Sequence, residues 1–205
     1  MIDSRVSLKE FWNVFTNLNG DVSRCMAALE ETPEEDEEER AFWRRMYARA
    51  IFAAIDGATY RMTFQAYAAR ARPSVTFSMD ELERLEKAYD FDEDQEEFVS
   101  TFSKSQMLDN IRFAFNAFAR VHYSDYVLPI NDPDWVIIKE VARMRDALQY
   151  PRAPEETEVY EENIDTLVKG LLWFVERMME LLKDSGDRLQ EKIAEWESGE
   201  DETVM

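Results

Sequence analysis

Apolar residues recur at three- and four-residue steps along most of the chain, which is the spacing of one face of an α-helix. In the longest run, from Phe42 to Phe64, they follow two adjacent faces, and this predicts a central helix covered on both sides. Pro73 should end that helix near residues 70–72, because proline disfavours helical geometry at the residue before it. Shorter amphipathic stretches lie at residues 78–89, 104–122, 132–150 and 161–183. The pattern predicts an all-α, up-and-down bundle of four to five core helices.

Two helix starts carry the residues of a capping box. Thr32, followed by Pro33 and then Glu35, predicts the start of the central helix, since threonine can cap and proline suits the first turn. Ser78 and Glu81 form the second capping box, at the start of a short helix.

The remaining segments set the domain boundaries that the sequence predicts. Asn19-Gly20-Asp21 interrupts the apolar spacing and predicts two short N-terminal helices, so residues 1–31 are interpreted as a helical appendage. Residues 32–183 should form the bundle, and residues 184–205 a helical extension and an acidic tail. Within the bundle, residues 90–104 predict an acidic loop or a hairpin.

Charge and composition exclude several classes of protein. The chain carries 44 acidic and 24 basic residues, a formal net charge of -20, so its mean surface repels phosphate backbones. Extended nucleic-acid binding is therefore excluded unless basic residues gather at one place. Cys25, the only cysteine, excludes an intramolecular disulfide and an all-cysteine metal site. The sequence has no glycine-rich phosphate loop and no His-x-x-x-His spacing, so neither a cofactor nor a metal is expected.

The sequence also predicts where the protein resides. Residues 1–5 contain no apolar signal-peptide core, and the most apolar stretch, residues 167–182, is interrupted by four charged residues. We expect a cytoplasmic protein that neither crosses nor binds a membrane.

The candidate functional side chains lie at residues 141–152, where a predicted helix must end before Pro151. There Arg145 is followed by the polar Asp146, three further residues and the ring of Tyr150. Arg143 and Arg152 add two more cations. By themselves, arginines at a last helical turn are explained by the helix dipole and by the terminal carbonyls, so a purely structural role stays open.

The surrounding helices extend this motif to a family resemblance. An arginine, a polar residue and a ring side chain at the end of a core helix resemble the motif of the HEPN superfamily of prokaryotic defence and toxin proteins. Residues 41–57 are similar to the long first core helix of one bacterial HEPN branch, residues 110–121 to its next helix, and residues 155–174 to the segment after the motif. The resemblance covers roughly residues 40–179.

The resemblance implies a homodimer in which two motifs face one cleft. In active members the arginine holds the scissile phosphate while a histidine does acid or base work as the 2′-hydroxyl attacks, without metal. Carried over, Arg145 matches the arginine, Asp146 the polar position and Tyr150 the histidine, so Arg145 and Tyr150 are the candidate catalytic pair. Arg143, Arg145, Asp146 and Arg152 are the candidate RNA-phosphate site.

Tyrosine at the histidine position changes the expected activity. A general base works best with a pKa near the working pH, whereas a free phenol is ionised to only about one part in a thousand at pH 7. Two alternatives stay open: the flanking arginines stabilise a phenolate, or His122, the only histidine, enters the cleft.

These observations lead to a preferred function and an alternative. The preferred hypothesis is a catalytically degenerate HEPN-like protein, a regulatory, adaptor or immunity component of a prokaryotic antiviral defence or toxin–antitoxin type system. The alternative is an active metal-independent endoribonuclease, and a third possibility is a purely structural helical protein. Small residues of the central helix predict close approach of another helix, within the bundle or across a dimer: Ala50, Ala53, Ala54, Gly57 and Ala58.

Overall fold

The computed structural model describes residues 4–70, 75–87, 91–92, 97–98 and 107–198, and these form the predicted all-α bundle. The helices are α1 (Ser4–Glu31), α2 (Glu37–Ala69), α3 (Met79–Lys87), α4 (Met107–Val121), α5 (Trp135–Gln149) and α6 (Glu161–Ser198), and a 3₁₀ turn, Pro154–Thr157, precedes α6.

A two-stranded hairpin lies within the predicted acidic segment. Strand β1 (Phe91–Asp92) pairs antiparallel with β2 (Glu97–Phe98), with Phe91 opposite Phe98. The hairpin prediction is thereby confirmed for these residues, and the rest of 93–104 lies outside the described residues.

Helix α2 is the central helix, as its two apolar faces predicted. It packs against α1, α4 and α6, and Ile51, Ile55 and Met62 on it are fully buried. A second, smaller core forms where the end of α2 meets α3 and α4, around Ala66, Leu85 and other apolar residues. The helix ends at Ala69, close to the end that Pro73 predicted.

The prediction of two short N-terminal helices is wrong, because α1 continues straight through Gly20. A glycine inside a helix costs only about 1 kcal/mol relative to alanine. Burial of apolar side chains on both sides of Gly20, including Phe11, Phe15 and Leu29, outweighs that cost. These side chains belong to the same core as α2, α4, α5 and α6.

Three of the five small residues of α2 serve contact within the bundle, whereas Ala53 is exposed. A Cβ atom on Gly57 would overlap Leu18 Cδ1 of α1, and Ala54 and Ala58 are buried. Glycine at position 57 therefore lets α1 lie close against α2.

The start of α2 also differs from the prediction at Thr32. The Thr32 hydroxyl donates to the Ala28 carbonyl at 2.7 Å and so completes α1 rather than capping α2. Asp36 caps α2 instead, since its carboxylate accepts from the Glu39 N–H at 3.3 Å. The cap shifts by one turn because α1 continues to Glu31 and takes Thr32 into its final turn.

The second capping box is confirmed. The Ser78 N–H donates to Glu81 at 2.8 Å, and the Glu81 N–H donates to the Ser78 hydroxyl at 3.3 Å. Glu81 also accepts from Arg120 at 2.7 Å, so the start of α3 is fixed to α4.

A buried arginine joins the starts of α2 and α6. Arg44 donates through Nε to the Val159 carbonyl at 2.7 Å, and its other nitrogens contact Glu37 and Glu161. Arg44 is 5% exposed, so its bond to the Val159 carbonyl is buried, whereas the side chains of Glu37 and Glu161 are 72% and 64% exposed. These contacts fix the end of the connector between α5 and α6 (residues 151–160).

Helices α5 and α6 pack closely in opposite directions. A Cβ atom on Gly170 would lie 2.5 Å from Val141 Cγ2, and the Trp135 and Trp173 rings are 5.4 Å apart. None of the helices in the described parts of the chain has the length and apolarity needed to cross a membrane.

Candidate functional site

The motif residues lie at the end of α5, where the chain turns into the connector. Tyr150 follows the last helical residue, and its N–H donates to the Asp146 carbonyl at 2.9 Å. Six residues line an open groove of about 740 Å³ here, which we call the Tyr150 groove: Arg143, Asp146, Ala147, Tyr150, Arg152 and Glu156. Four of the five predicted site residues thus surround one groove.

The fifth, Arg145, is buried against α2. Its Nε and Nη2 atoms both lie 2.9 Å from Asp56 Oδ2, and its Nη1 lies 3.2 Å from Asp146 Oδ1. Its side chain is only 7% exposed, and it is not among the residues that line the Tyr150 groove. Tyr150 thus faces the groove, whereas Arg145 contacts the carboxylates of Asp56 and Asp146, and the second of these also lines the groove.

The electrostatics of the Arg145–Asp56 pair indicate a structural role. Burial raises the pKa of the Asp56 carboxyl, and the charge and hydrogen bonds of Arg145 only partly offset this effect. Water still reaches part of this carboxylate, because the Asp56 side chain is 37% exposed. Such a pair fixes geometry between helices rather than adding net stability. With two carboxylates beside one guanidinium, Arg145 has little attraction left for a phosphate.

The other two arginines are exposed. Arg143 pairs with Glu140, one turn earlier on α5, at 2.6 Å, and its side chain is 73% exposed. The Arg152 backbone N–H donates to Glu156 at 2.6 Å, while its guanidinium forms no hydrogen bond or ion pair with the residues that the structure describes. Arg152 is therefore the cation most available to a ligand at the groove.

Sequence reasoning did not single out two arginines of α2, Arg45 and Arg49. Arg45 lies 4.0 Å from Glu158 of the connector, and Arg49 is exposed. With about 100° of rotation per residue, both share a face of α2 with Asp56, to within about 40°. Arg45 and Arg49 thus lie one turn apart on the side of α2 that carries Asp56, and Arg45 faces the connector. The positions of these arginines on α2 become informative only once the connector is known to pass alongside that helix.

Asp56, also missed, did have a signal in the sequence. It is the only charged residue in the otherwise uncharged stretch 50–60 of the central helix. A carboxylate in such a stretch needs a partner when the helix is packed on several sides.

His122 lies elsewhere in the fold. Its Nε2 is 3.2 Å from Gln65 Oε1, and its ring packs on Phe118 with centroids 4.3 Å apart. Gln65 is nine residues along α2 from Asp56, about 13 Å at the rise of an α-helix. The structure therefore gives no support to His122 as a replacement for the motif histidine.

The chemical capacity of the site follows from these positions. Tyr150 is 48% exposed and can donate a hydrogen bond into the groove, and Arg143 and Arg152 can bind an acidic group there. Among the described residues, no three His, Cys, Asp or Glu side chains are grouped in a way that could hold a metal ion. The groove thus offers two guanidinium groups and a phenol beside the carboxylates of Asp146 and Glu156, while Arg145 contacts Asp56 and Asp146.

Comparison with known proteins finds no matching family model, no matching curated protein and no matching solved structure, so the HEPN relationship stays a prediction from the motif and its helices.

Proposed function

We propose that this chain is a catalytically degenerate HEPN-like protein that acts by binding, as a regulatory, adaptor or immunity component of a prokaryotic antiviral defence or toxin–antitoxin type system. The observation that carries the proposal is that the Arg145 guanidinium contacts two carboxylates of its own chain. A catalytic arginine must present free N–H groups to the scissile phosphate, whereas Asp56 and Asp146 occupy this one.

The groove residues support binding over turnover. Arg143 and Arg152 offer charge, and Tyr150 offers a ring and a hydroxyl. Tyrosine and arginine are among the residue types that are enriched at the residues that dominate binding in protein interfaces. A phenol and two guanidiniums, in contrast, supply no group that accepts a proton readily at neutral pH.

A matched pair of charge reversals tests the binding role. The full-length wild type, Arg152→Glu and Arg24→Glu are used as bait in a lysate of the source cells, and partners are quantified. Arg24 is also an exposed arginine, on α1, with 85% of its side chain accessible. We expect a stoichiometric partner that is retained by the wild type and by Arg24→Glu and lost by Arg152→Glu. If no partner depends on Arg152, binding through the Tyr150 groove is wrong.

The second candidate function is a metal-independent endoribonuclease. It is favoured by one observation, that Tyr150 lines the same groove as the exposed Arg143 and Arg152. We expect the purified protein to leave a mixed RNA substrate intact in EDTA, because the motif arginine is engaged and the motif histidine is absent.

Arg152→Gln and Tyr150→Phe are the variants that probe this activity, with Arg24→Gln as the control. Arg145→Ala is less suitable, since it removes a buried structural contact and can abolish activity by loosening the fold. Cleavage in EDTA that disappears in the two groove variants and persists in Arg24→Gln would establish the endoribonuclease instead.

A further inference from the structure

Helix α6 carries a second apolar stripe beside its buried face. Four of the large apolar residues on it are exposed by 38–56%: Leu172, Met179, Leu189 and Ile193. Three half-buried residues alternate with them and Gly186 completes the row: Val168, Val175 and Leu182. We call the eight residues from Val168 to Ile193 the α6 seam.

The spacing of the seam is that of a coiled coil. Its members follow at steps of four and three residues, so every position recurs after seven. A straight helix drifts by about 20° per heptad from such a repeat, and the drift is removed when two helices wind around each other. The repeat is maintained for more than three heptads, which is the length that marks a coiled-coil helix. The partner that fits the seam is therefore another helix with a heptad repeat.

We propose that this partner is α6 of a second copy of the chain, paired antiparallel along the seam. In the register that places Leu182 opposite Met179 of the other copy, Leu172 also meets Leu189, and Val168 meets Ile193. Every one of these layers joins two apolar side chains. Val175 then meets Gly186, whose Cβ position has no atom within 4 Å, so the larger side chain has room.

The charges beside the seam select this register. Lys169, Glu176, Lys183 and Gln190 follow one another at seven-residue steps along its outer border. In the proposed register Glu176 of each copy lies opposite Lys183 of the other, which gives two attractive contacts. A shift of one heptad in one direction brings Lys183 opposite Lys183, and in the other direction Glu176 opposite Glu176. Like charges thus oppose both neighbouring registers.

This surface is distinct from the shared cleft that the HEPN resemblance implies. The centre of the seam lies between residues 180 and 181. The motif lies nearer the start of α6, because Gly170 of α6 is next to Val141 of α5, and Arg145 follows Val141 by one turn of α5. At 1.5 Å per residue, the two Arg145 positions of such a dimer are separated by about 40 Å along α6, and the two Tyr150 grooves by about 60 Å. The proposal is therefore independent of the proposed function.

Sedimentation equilibrium across the micromolar range tests the pairing with the full chain. We expect the wild type to form a dimer of twice 24.2 kDa, and Met179→Glu with Leu189→Glu to weaken it at least tenfold without loss of helix content. Val136→Glu, at an exposed apolar position of α5, is the matched control and should dimerise normally. A monomeric wild type, or a dimer that survives the double variant, would overturn the proposal.

A charge swap tests the register without altering apolar residues. Lys183→Glu alone should weaken the dimer by roughly tenfold, because it places Glu opposite Glu twice. Adding Glu176→Lys should restore the wild-type dimer. If the double swap is no better than the single variant, the antiparallel α6 pairing is wrong.

Discussion

Breaking the Arg145–Asp56 pair from its two sides should have unequal costs. The Arg145 side chain is 7% exposed, whereas that of Asp56 is 37% exposed. Asp56→Leu leaves the buried guanidinium beside the carboxylate of Asp146. Arg145→Met leaves only carboxylates that water reaches, and the methionine chain fills much of the space of the arginine stem.

The expected magnitudes follow from these exposures. Removing one partner of a fully buried ion pair costs about 3–5 kcal/mol. Because Asp146 remains beside the guanidinium, we expect Asp56→Leu to lower the free energy of unfolding by about 2 kcal/mol. Arg145→Met should lower it by about 1 kcal/mol or less, since the freed carboxylates are solvated. The double variant should be more stable than Asp56→Leu alone, because it leaves no buried charge unpaired.

Urea denaturation followed by far-ultraviolet circular dichroism measures the four proteins at one fixed concentration. Equal slopes are needed for the comparison, since a changed slope indicates a changed unfolded or folded ensemble. The reasoning is refuted if Arg145→Met is more costly than Asp56→Leu, or if the double variant gains nothing over Asp56→Leu. Arg145 would then stabilise the fold through contacts other than this pair.

Three further predictions concern the bundle. Gly20→Ala should raise the free energy of unfolding by about 0.5–1 kcal/mol in urea denaturation, because α1 is continuous and no atom lies within 4 Å of the added Cβ; a loss of stability would contradict the unbroken helix. Gly170→Ala should lower it by about 1–2 kcal/mol, because the added Cβ meets the stiff side chain of Val141, and Val141→Ala in the same chain should recover part of the loss. Burial raises the pKa of Glu81, but hydrogen bonds from Arg120 and Ser78 outweigh this effect and hold the pKa below its usual range. Glu81 therefore stabilises the fold at any pH above the pKa of a free glutamate, and this stabilisation is lost as the pH falls through the lowered pKa. Glu81→Gln should therefore reduce the loss of stability on acidification, and an unchanged acid dependence would count against this contact.

The helices were predictable because their signals are local. Apolar spacing located the central helix, and Ser78 with Glu81 fixed a start that the structure confirms. Gly20 and Thr32 were misinterpreted for one shared reason. Their local preferences for a break and for a cap are worth about 1 kcal/mol each, and burial of apolar residues on both sides of them outweighs such preferences.

The residues of the Tyr150 groove were predictable for the same reason, whereas the partner of Arg145 was not. Arg143, Tyr150 and Arg152 lie within ten residues of one another, so one helix end and one turn were sufficient to bring them together. The partner of Arg145 is 89 residues away, and no spacing rule links it to the motif. That pairing depends on how α5 lies across α2, which is a property of the assembled bundle.

The buried Arg44 bears on how readily the Tyr150 groove takes a ligand. The connector that supplies Arg152 and Glu156 is held at its start by the end of α5 and at Val159 by the Arg44 guanidinium. A short loop fixed at both ends has little conformational freedom left to lose on binding. These groove residues therefore lose most of their conformational entropy during folding rather than on binding. The groove is preorganised, which favours ligands that fit its existing shape.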